Sequence, residues 1–288
     1  MAIPLIDFKQ REAALQDVEI IELSKLYTRK FKDHDPQAPH RLSFFMTVIF
    51  EKGEGKQMVD FKEHTFKPGT VISVQREQVT AFDLGDKPEG KILIFTQEYL
   101  DAVHANMKLP SFTPTYLNSQ YSPAFELDEE NRKRTSSLLN EMIAELTCEG
   151  GDPLIVMYLF SALTLLHRRL KTVGEVDNLS PSQSRLLSRF VALLQEHFER
   201  TRDANWYADQ LATTYKTLNQ VCKASTSLTA KQMIDAFTIT EIKRRLVVSK
   251  ITYQQLAYDF GFEDPSNFVK YFKKETGLTP SKFRNHYR

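Results

Sequence analysis

The run Lys223-Ala-Ser-Thr-Ser-Leu-Thr229 returns as Lys273-Lys-Glu-Thr-Gly-Leu-Thr279. This internal repeat of about 50 residues constrains the fold more than any other feature of the chain. Upstream, Ala208, Leu211, Ala212 and Leu218 correspond to Ala257, Phe260, Gly261 and Phe268, with one extra residue in the turn of the second copy. Each copy reads as a helix containing a buried alanine, a short turn, and a second helix pinned by an apolar side chain, which is the helix-turn-helix plan. Between the copies, Thr229 to Ser249 forms one long helix by its spacing, with Met233, Ile234, Phe237, Ile242, Leu246 and Val247 on inner faces. Residues 184–288 are therefore expected to be an all-α domain.

Charge follows the same division. The net charge of the 288 residues is +1. Residues 178–288, however, hold 17 Lys and Arg against 10 Asp and Glu, a balance of +7, leaving 21 against 27, or −6, for the rest. Such asymmetry suggests that one half meets a polyanion while the other does something else.

A helix-turn-helix exposes the first half of its second helix, which fits the roughly 12 Å major groove of duplex DNA. In the second copy Phe268 and Phe272 are spaced to face inward, so Ser266, Val269 and Lys270 face out. In the first, Thr214 is placed to cap the helix, Leu218 and Cys222 face inward, and Lys216, Asn219 and Gln220 face out. Asn and Gln make bidentate contacts to adenine and Lys reaches guanine, so these are candidate base readers, while Lys223, Lys273 and Lys274 suit phosphate positioning. The plainer reading, a solvated lysine, is outweighed where motif, periodicity and domain charge agree. Trp206 and Tyr207 could stack on a base, but core packing fits them better.

The segment Ile251-Thr-Tyr-Gln-Gln-Leu-Ala-Tyr-Asp-Phe-Gly-Phe-Glu-Asp-Pro-Ser-Asn-Phe-Val-Lys-Tyr-Phe-Lys-Lys-Glu-Thr-Gly-Leu-Thr-Pro-Ser-Lys-Phe-Arg284 resembles the signature of the AraC family of bacterial transcription regulators. The two-copy arrangement extends the resemblance across residues 184–288. It implies two helix-turn-helices, joined by a long helix, that read successive major-groove segments on one face of DNA. By position in the motif, base reading falls on Lys216, Asn219 and Gln220 and on Pro265, Ser266, Val269 and Lys270. The first copy departs from the pattern, with Ala212 in the place of Gly261 and Ser227 in the place of Gly277. Phe237 stands where many members of the family carry an arginine.

Before the repeat, from Glu19 to about Leu100, short apolar runs alternate with turn signals such as Glu51-Lys52-Gly53-Glu54-Gly55, which indicates an antiparallel sandwich or barrel. Helices are expected after Pro123: one from Asp128 to Leu146, then one opened by Asp152-Pro153 and running to Leu170. The second is apolar on most sides, so the pair suits either a dimer interface or a cover over the sheet. The predicted whole is a two-domain α+β chain: residues 1–172 an antiparallel β-barrel with a helical hairpin, 173–183 a linker, and 184–288 the double helix-turn-helix.

The first domain resembles the cupin-like sensor barrel common in the same family, through Pro39-His40, the Gly53/Gly55 turn and Lys67-Pro68-Gly69-Thr70. Metal-dependent cupin enzymes use a His-x-His pair, a downstream Glu and a later His. Here Leu42 and Gln78 stand near the second and last of those places, and His34 and His64 lack metal-ligand spacing. No metal, cofactor or enzymatic activity is expected, and His40 reads as a structural or exposed residue. An interior lined from Ser43 to Phe50 is a candidate chamber for a small molecule.

With 41% apolar and 26% charged residues, disorder and fibrous repeats are excluded. The longest uncharged apolar run, from Pro153 to Leu166, has 14 residues, short of the 18 or so that mark a membrane span. The N-terminus lacks the pattern of a secretory signal, so a cytoplasmic location is expected. Cys148 and Cys222, 74 positions apart, match no metal or disulfide framework and both read as buried. The expected function is a sequence-specific DNA-binding transcription regulator, a homodimer by its apolar helix, with promoter DNA, a small-molecule effector and RNA polymerase as partners. A cupin-type enzyme tethered to DNA and a dimerising regulator without a ligand are the competing readings.

Overall fold

The computed structural model describes residues 4–8, 17–28, 35–107, 122–171, 179–249 and 251–287. One compact unit spans Pro4–Leu109 and Ser122–Gly174, and the other is built on Glu175–Arg288. No helix among the described residues is long and apolar enough to cross a membrane.

The first unit runs β1 (Leu5–Ile6), β2 (Val18–Glu22), α1 (Lys25–Thr28), β3 (His40–Leu42), β4 (Phe45–Lys52), β5 (Gly55–Val59), β6 (Lys62–Phe66), β7 (Thr70–Val74), β8 (Val79–Phe82), β9 (Glu89–Phe95), α2 (Gln97–Met107), β10 (Ala124–Glu126), α3 (Glu129–Thr147) and α4 (Pro153–Lys171). The strands form two five-stranded sheets, in the orders β1-β3-β8-β5-β6 and β10-β7-β4-β9-β2. β1 lies parallel to β3, and the other described pairings are antiparallel.

Alternation decides which side chains meet between the sheets. Leu42, Val59, Phe66 and Phe82 from one sheet share a core with Met46, Val48, Phe50, Ile72, Val74 and Ile92 from the other. Phe50 stacks on Phe66 across that core, with ring centroids 3.8 Å apart. The antiparallel β-barrel expected from the sequence thus takes the form of two facing sheets. Three elements depart from the expected order: the single turn of α1 and the longer α2 precede Pro123, and β10 follows it. α2 carries its own signal, with Leu100 and Val103 buried and Thr96 Oγ1 accepting the Tyr99 amide at 3.1 Å. β10 is too short for periodicity and exists through its pairing with β7.

The second unit is helical: α5 (Pro181–His197), α6 (Ala204–Gln210), α7 (Tyr215–Thr226), α8 (Ala230–Val248), α9 (Tyr253–Asp259), α10 (Pro265–Thr276) and α11 (Pro280–His286). Of the segment expected as a linker, residues 173–178 lie outside the described residues. Its end is already helix: Ser180 and Gln183 form a reciprocal capping box and Pro181 fills the first position, so α5 begins three residues before the expected domain start at 184.

α8, whose 19 residues span about 28 Å, serves both helix-turn-helices. Ala230, Ile234 and Phe237 point one way, while Ile239, Ile242 and Leu246 point roughly 140° further round the axis; all six are buried. Its first half closes the core of α5, α6 and α7, and its second packs against α9 and α11. Phe237 belongs to this packing, 5.1 Å from the Phe198 ring.

The cysteines are split by the fold. Cys222 is fully buried, and burial pushes its thiol up to about 12. Cys148 is exposed, contrary to expectation, because it ends α3 at the Cys148-Glu-Gly-Gly-Asp152 turn, which faces solvent.

Candidate nucleic-acid interface

Each second helix is set by a cap, a turn and a buried stripe. In the first copy Thr214 Oγ1 accepts the Thr217 amide at 3.1 Å, and Leu218, Val221 and Cys222 are buried. In the second Asp264 Oδ1 accepts the Ser266 amide at 2.7 Å, Pro265 opens the helix, and Phe268 and Phe272 are buried. The preceding turns close alike: Thr213 N donates to Ala208 O at 3.0 Å and Phe262 N to Ala257 O at 2.9 Å. Ala212 and Gly261 both take left-handed backbone, with φ of 52° and 68°, as do Ser227 and Gly277, with φ of 60° and 75°. The first copy therefore keeps the geometry of the second without its glycines.

The candidate readers fall on the outer faces of α7 and α10. Lys216, Gln220, Ser266 and Lys270 are exposed, Pro265 and Val269 half-buried, and Lys223, Lys273 and Lys274 exposed toward the C-terminal ends of their helices. Tyr215, at the position matching Pro265, is also exposed and was absent from the sequence-based set. Asn219 is different. It is half-buried, and its Oδ1 accepts the amide of Ala230, the first residue of α8, at 2.8 Å. A bidentate contact to adenine needs both ends of the amide, so the oxygen would have to leave α8 before Asn219 could read a base that way.

Part of the positive charge of this unit is turned onto the protein itself. Arg284 is buried, donating from Nε to Leu246 O at 2.8 Å and from Nη2 to Ile251 O at 2.7 Å. Arg244 is buried against Glu241, and Arg245 pairs with Glu199. Arg202 donates to Phe260 O at 2.6 Å and lies 3.8 Å over the Phe262 ring, joining the start of the first copy to the turn of the second. Tyr271 on α10 donates to Asp235 Oδ1 on α8 at 3.2 Å, and burial raises its hydroxyl pKa. Two fixed frames thus hold α10: the long helix and the corner before α6. The balance of +7 could not separate these arginines from surface lysines, because formal charge carries no information on burial.

Trp206 and Tyr207 belong to the core, as expected: Tyr207 is fully buried, donates to Thr201 O at 3.2 Å and meets Phe190 edge-on, and Trp206 packs against the same cluster.

At the cupin-like places the side chains are committed to structure. His40 is buried with Nδ1 3.0 Å from Ala38 O, Leu42 lies in the core, and Gln78 donates to Asp60 Oδ2 at 2.7 Å while accepting the Gln75 amide. His64 is half-buried, and burial lowers its pKa. His34 lies outside the described residues. Among the described residues no group of three or more His, Cys, Asp or Glu is placed to hold a metal.

Two capped, solvent-facing helices on one shared helix define a DNA-binding transcription regulator. Residues 207–286 match the family described as a helix-turn-helix domain. The HTH-type transcriptional activator RhaR of Salmonella schwarzengrund is 23% identical over 259 residues, covering 88% of this chain and 90% of that one. The RhaR of Salmonella dublin is 22% identical over the same shares. Among solved structures, apo ToxT from Vibrio cholerae strain SCE256 is similar with a TM-score of 0.43 and 14% identity, over 98% of this chain and 100% of that one. The carboxyl-terminal unit carries an AraC-type helix-turn-helix domain over residues 207–286, and the chain is homologous to the RhaR activators.

Proposed function

We propose that residues 181–288 read a two-segment promoter site, with α7 and α10 each entering a major groove. The matched pair of exposed second helices on α8 carries this reading. Lys216 and Gln220 on α7, and Pro265, Ser266, Val269 and Lys270 on α10, meet base edges, while Lys223, Lys273 and Lys274 hold phosphates. Asn219 serves first to position α7 against α8 and reaches a base only through its amide nitrogen. Binding of this kind weakens steeply with salt because phosphate contacts release counterions.

The other unit, within residues 1–172, responds to a small-molecule effector and mediates homodimerisation in the cytoplasm, and the assembly acts on RNA polymerase at the promoter. The effector reading is supported by Gln57, whose side chain is fully buried on the inner face of its sheet. Its Nε2 donates to Thr80 Oγ1 at 3.1 Å, and its Oε1 has no hydrogen-bond partner among the described residues. A buried acceptor of this kind calls for a donor, which a ligand hydroxyl or amine supplies. An effector changes DNA binding only by favouring one state of the protein over another. No enzymatic step is assigned.

Selection of bound fragments from random duplex DNA, followed by footprinting, tests the reading. Lys270→Ala and Gln220→Ala are each expected to lose base discrimination at one segment, at about 1–3 kcal/mol, with folding unchanged. Unaltered footprints from both variants would remove the assigned readers. A thermal-shift screen against small polar metabolites, repeated on Gln57→Leu, tests the effector site.

A further inference from the structure

The side-chain amide of Asn219 has one end tied and one end loose. Its Oδ1 accepts the amide of Ala230 at 2.8 Å. That amide is one of the donors that a helix start leaves without an intrahelical partner. Thr229 does not serve it: Thr229 Oγ1 accepts the Gln232 amide at 3.1 Å, and its carbonyl accepts the Met233 amide. Ala230 is fully buried, so releasing the Asn219 oxygen would strand a buried donor. The second copy shows the same joint without the tie. Val269 stands in the place of Asn219, and Pro280, which has no amide hydrogen, in the place of Ala230. Nδ2 of Asn219 donates to no group among the described residues, and Asn219 shares the outer side of α7 with the exposed Lys216 and Gln220.

We propose that Asn219 reads its base as a donor only, and so selects the keto bases, guanine and thymine, where an untethered asparagine would select adenine. A free side-chain amide matches adenine by donating to N7 and accepting from the N6 amino group. With its oxygen turned to α8, Asn219 presents two amide hydrogens and no acceptor. A base amino group could reach the second lone pair of that oxygen only by entering the joint between α7 and α8, beside a buried amide. Guanine meets the two hydrogens with N7 and O6 and thymine with O4, whereas adenine and cytosine turn an amino group toward the same place. The tie thus converts a residue type that ordinarily specifies adenine into one that rejects it. The inference rests on the proposed reading of DNA by α7 and adds which class of base the Asn219 position takes.

Selection of bound fragments from random duplex DNA, run on the full chain and on variants of it, tests the proposal. Asn219→Ala locates the base, as the position whose preference it erases, and the wild-type chain should hold guanine or thymine there. Asn219→Asp keeps an oxygen for Ala230 and exchanges the donor for an acceptor, so preference should pass to cytosine by about tenfold. Ala230→Pro removes the tied amide and frees the oxygen, so preference should pass to adenine by a similar factor. Thr229, at φ −68° and ψ 161°, already has the backbone that a following proline requires; should Ala230→Pro nevertheless lose its helical circular dichroism, Asn219→Asp decides alone. Adenine or cytosine preferred by the wild-type chain, a preference unmoved in Asn219→Asp or in folded Ala230→Pro, or no position altered by Asn219→Ala would each overturn the donor-only reading. Lys270→Ala, on α10, separates the two claims: a selected motif that Lys270→Ala alters and Asn219→Ala does not defeats this inference alone, and a wild-type chain that selects no motif defeats the DNA reading with it.

Discussion

The two helix-turn-helix units are the same design solved with different residues. The first is wedged between α5 and α8 and closed by Leu218 and Cys222; the second is wedged between α8 and α11 and closed by Phe268 and Phe272. The first turn leaves Ala212 in solvent, whereas the second rests on the corner between α5 and α6. A Cβ on Gly261 would lie 2.9 Å from Glu199 O. The starts of the helices that follow differ as well. Thr229 and Thr279 cap with nearly the same backbone, ψ of 161° and 154°. Behind them the first unit has Ala230, whose amide Asn219 accepts, and the second has Pro280, which has no amide to satisfy, opposite Val269. The polar residue thus appears in the copy where a buried donor needs it.

The largest expected asymmetry is in the cores. Phe272→Ala should cost about 3–5 kcal/mol by urea unfolding, and Cys222→Ala about 1 kcal/mol. Equal losses would mean that the smaller side chain is not the weaker anchor. Next come the turns: Gly261→Ala combines left-handed strain with contact against a backbone oxygen and should cost about 2 kcal/mol, while Ala212→Gly should shift stability by less than about 1 kcal/mol.

The cap of α8 offers an exchange of solutions. Asn219→Val leaves the Ala230 amide unsatisfied, at about 1–3 kcal/mol. Adding Ala230→Pro, which installs the residue pair of the second copy, should restore most of the loss. A double variant no more stable than the single one would show that Asn219 does something besides satisfy that amide.

The smallest contrast is in acid. The Ser266 amide holds the Asp264 carboxyl below the usual carboxylate range; its stabilisation is present above the unfolded value, about 3.9, and is lost as pH falls through the lower folded value. Thr214 does not titrate there. Amide exchange at the start of α10 should therefore accelerate between pH 4 and 2 or so relative to the start of α7, and equal responses would exclude the cap as the cause.

What could be read along the chain were features repeated at short range. Thr214, the inward Leu218, Phe268 and Phe272, and the length of α8 all follow from residues three, four or seven apart, so local periodicity carries them. The barrel-like strands were legible as alternation between turns, but not their division into two sheets, because β10 meets β7 and β2 meets β9 across dozens of residues. Asn219 was legible as outward-facing on its own helix, yet not as a partner of Ala230, which lies on the next helix.

The amino-acid order by itself determined that this chain carries a duplicated helix-turn-helix with a polar outer face on each second helix, because helix period and cap chemistry act within a few residues. Only the tertiary structure decided which charges face solvent, with Arg202, Arg244 and Arg284 turned inward onto other elements and the lysines of α7 and α10 left outside. Burial depends on what packs from elsewhere in the chain, and no local window contains that.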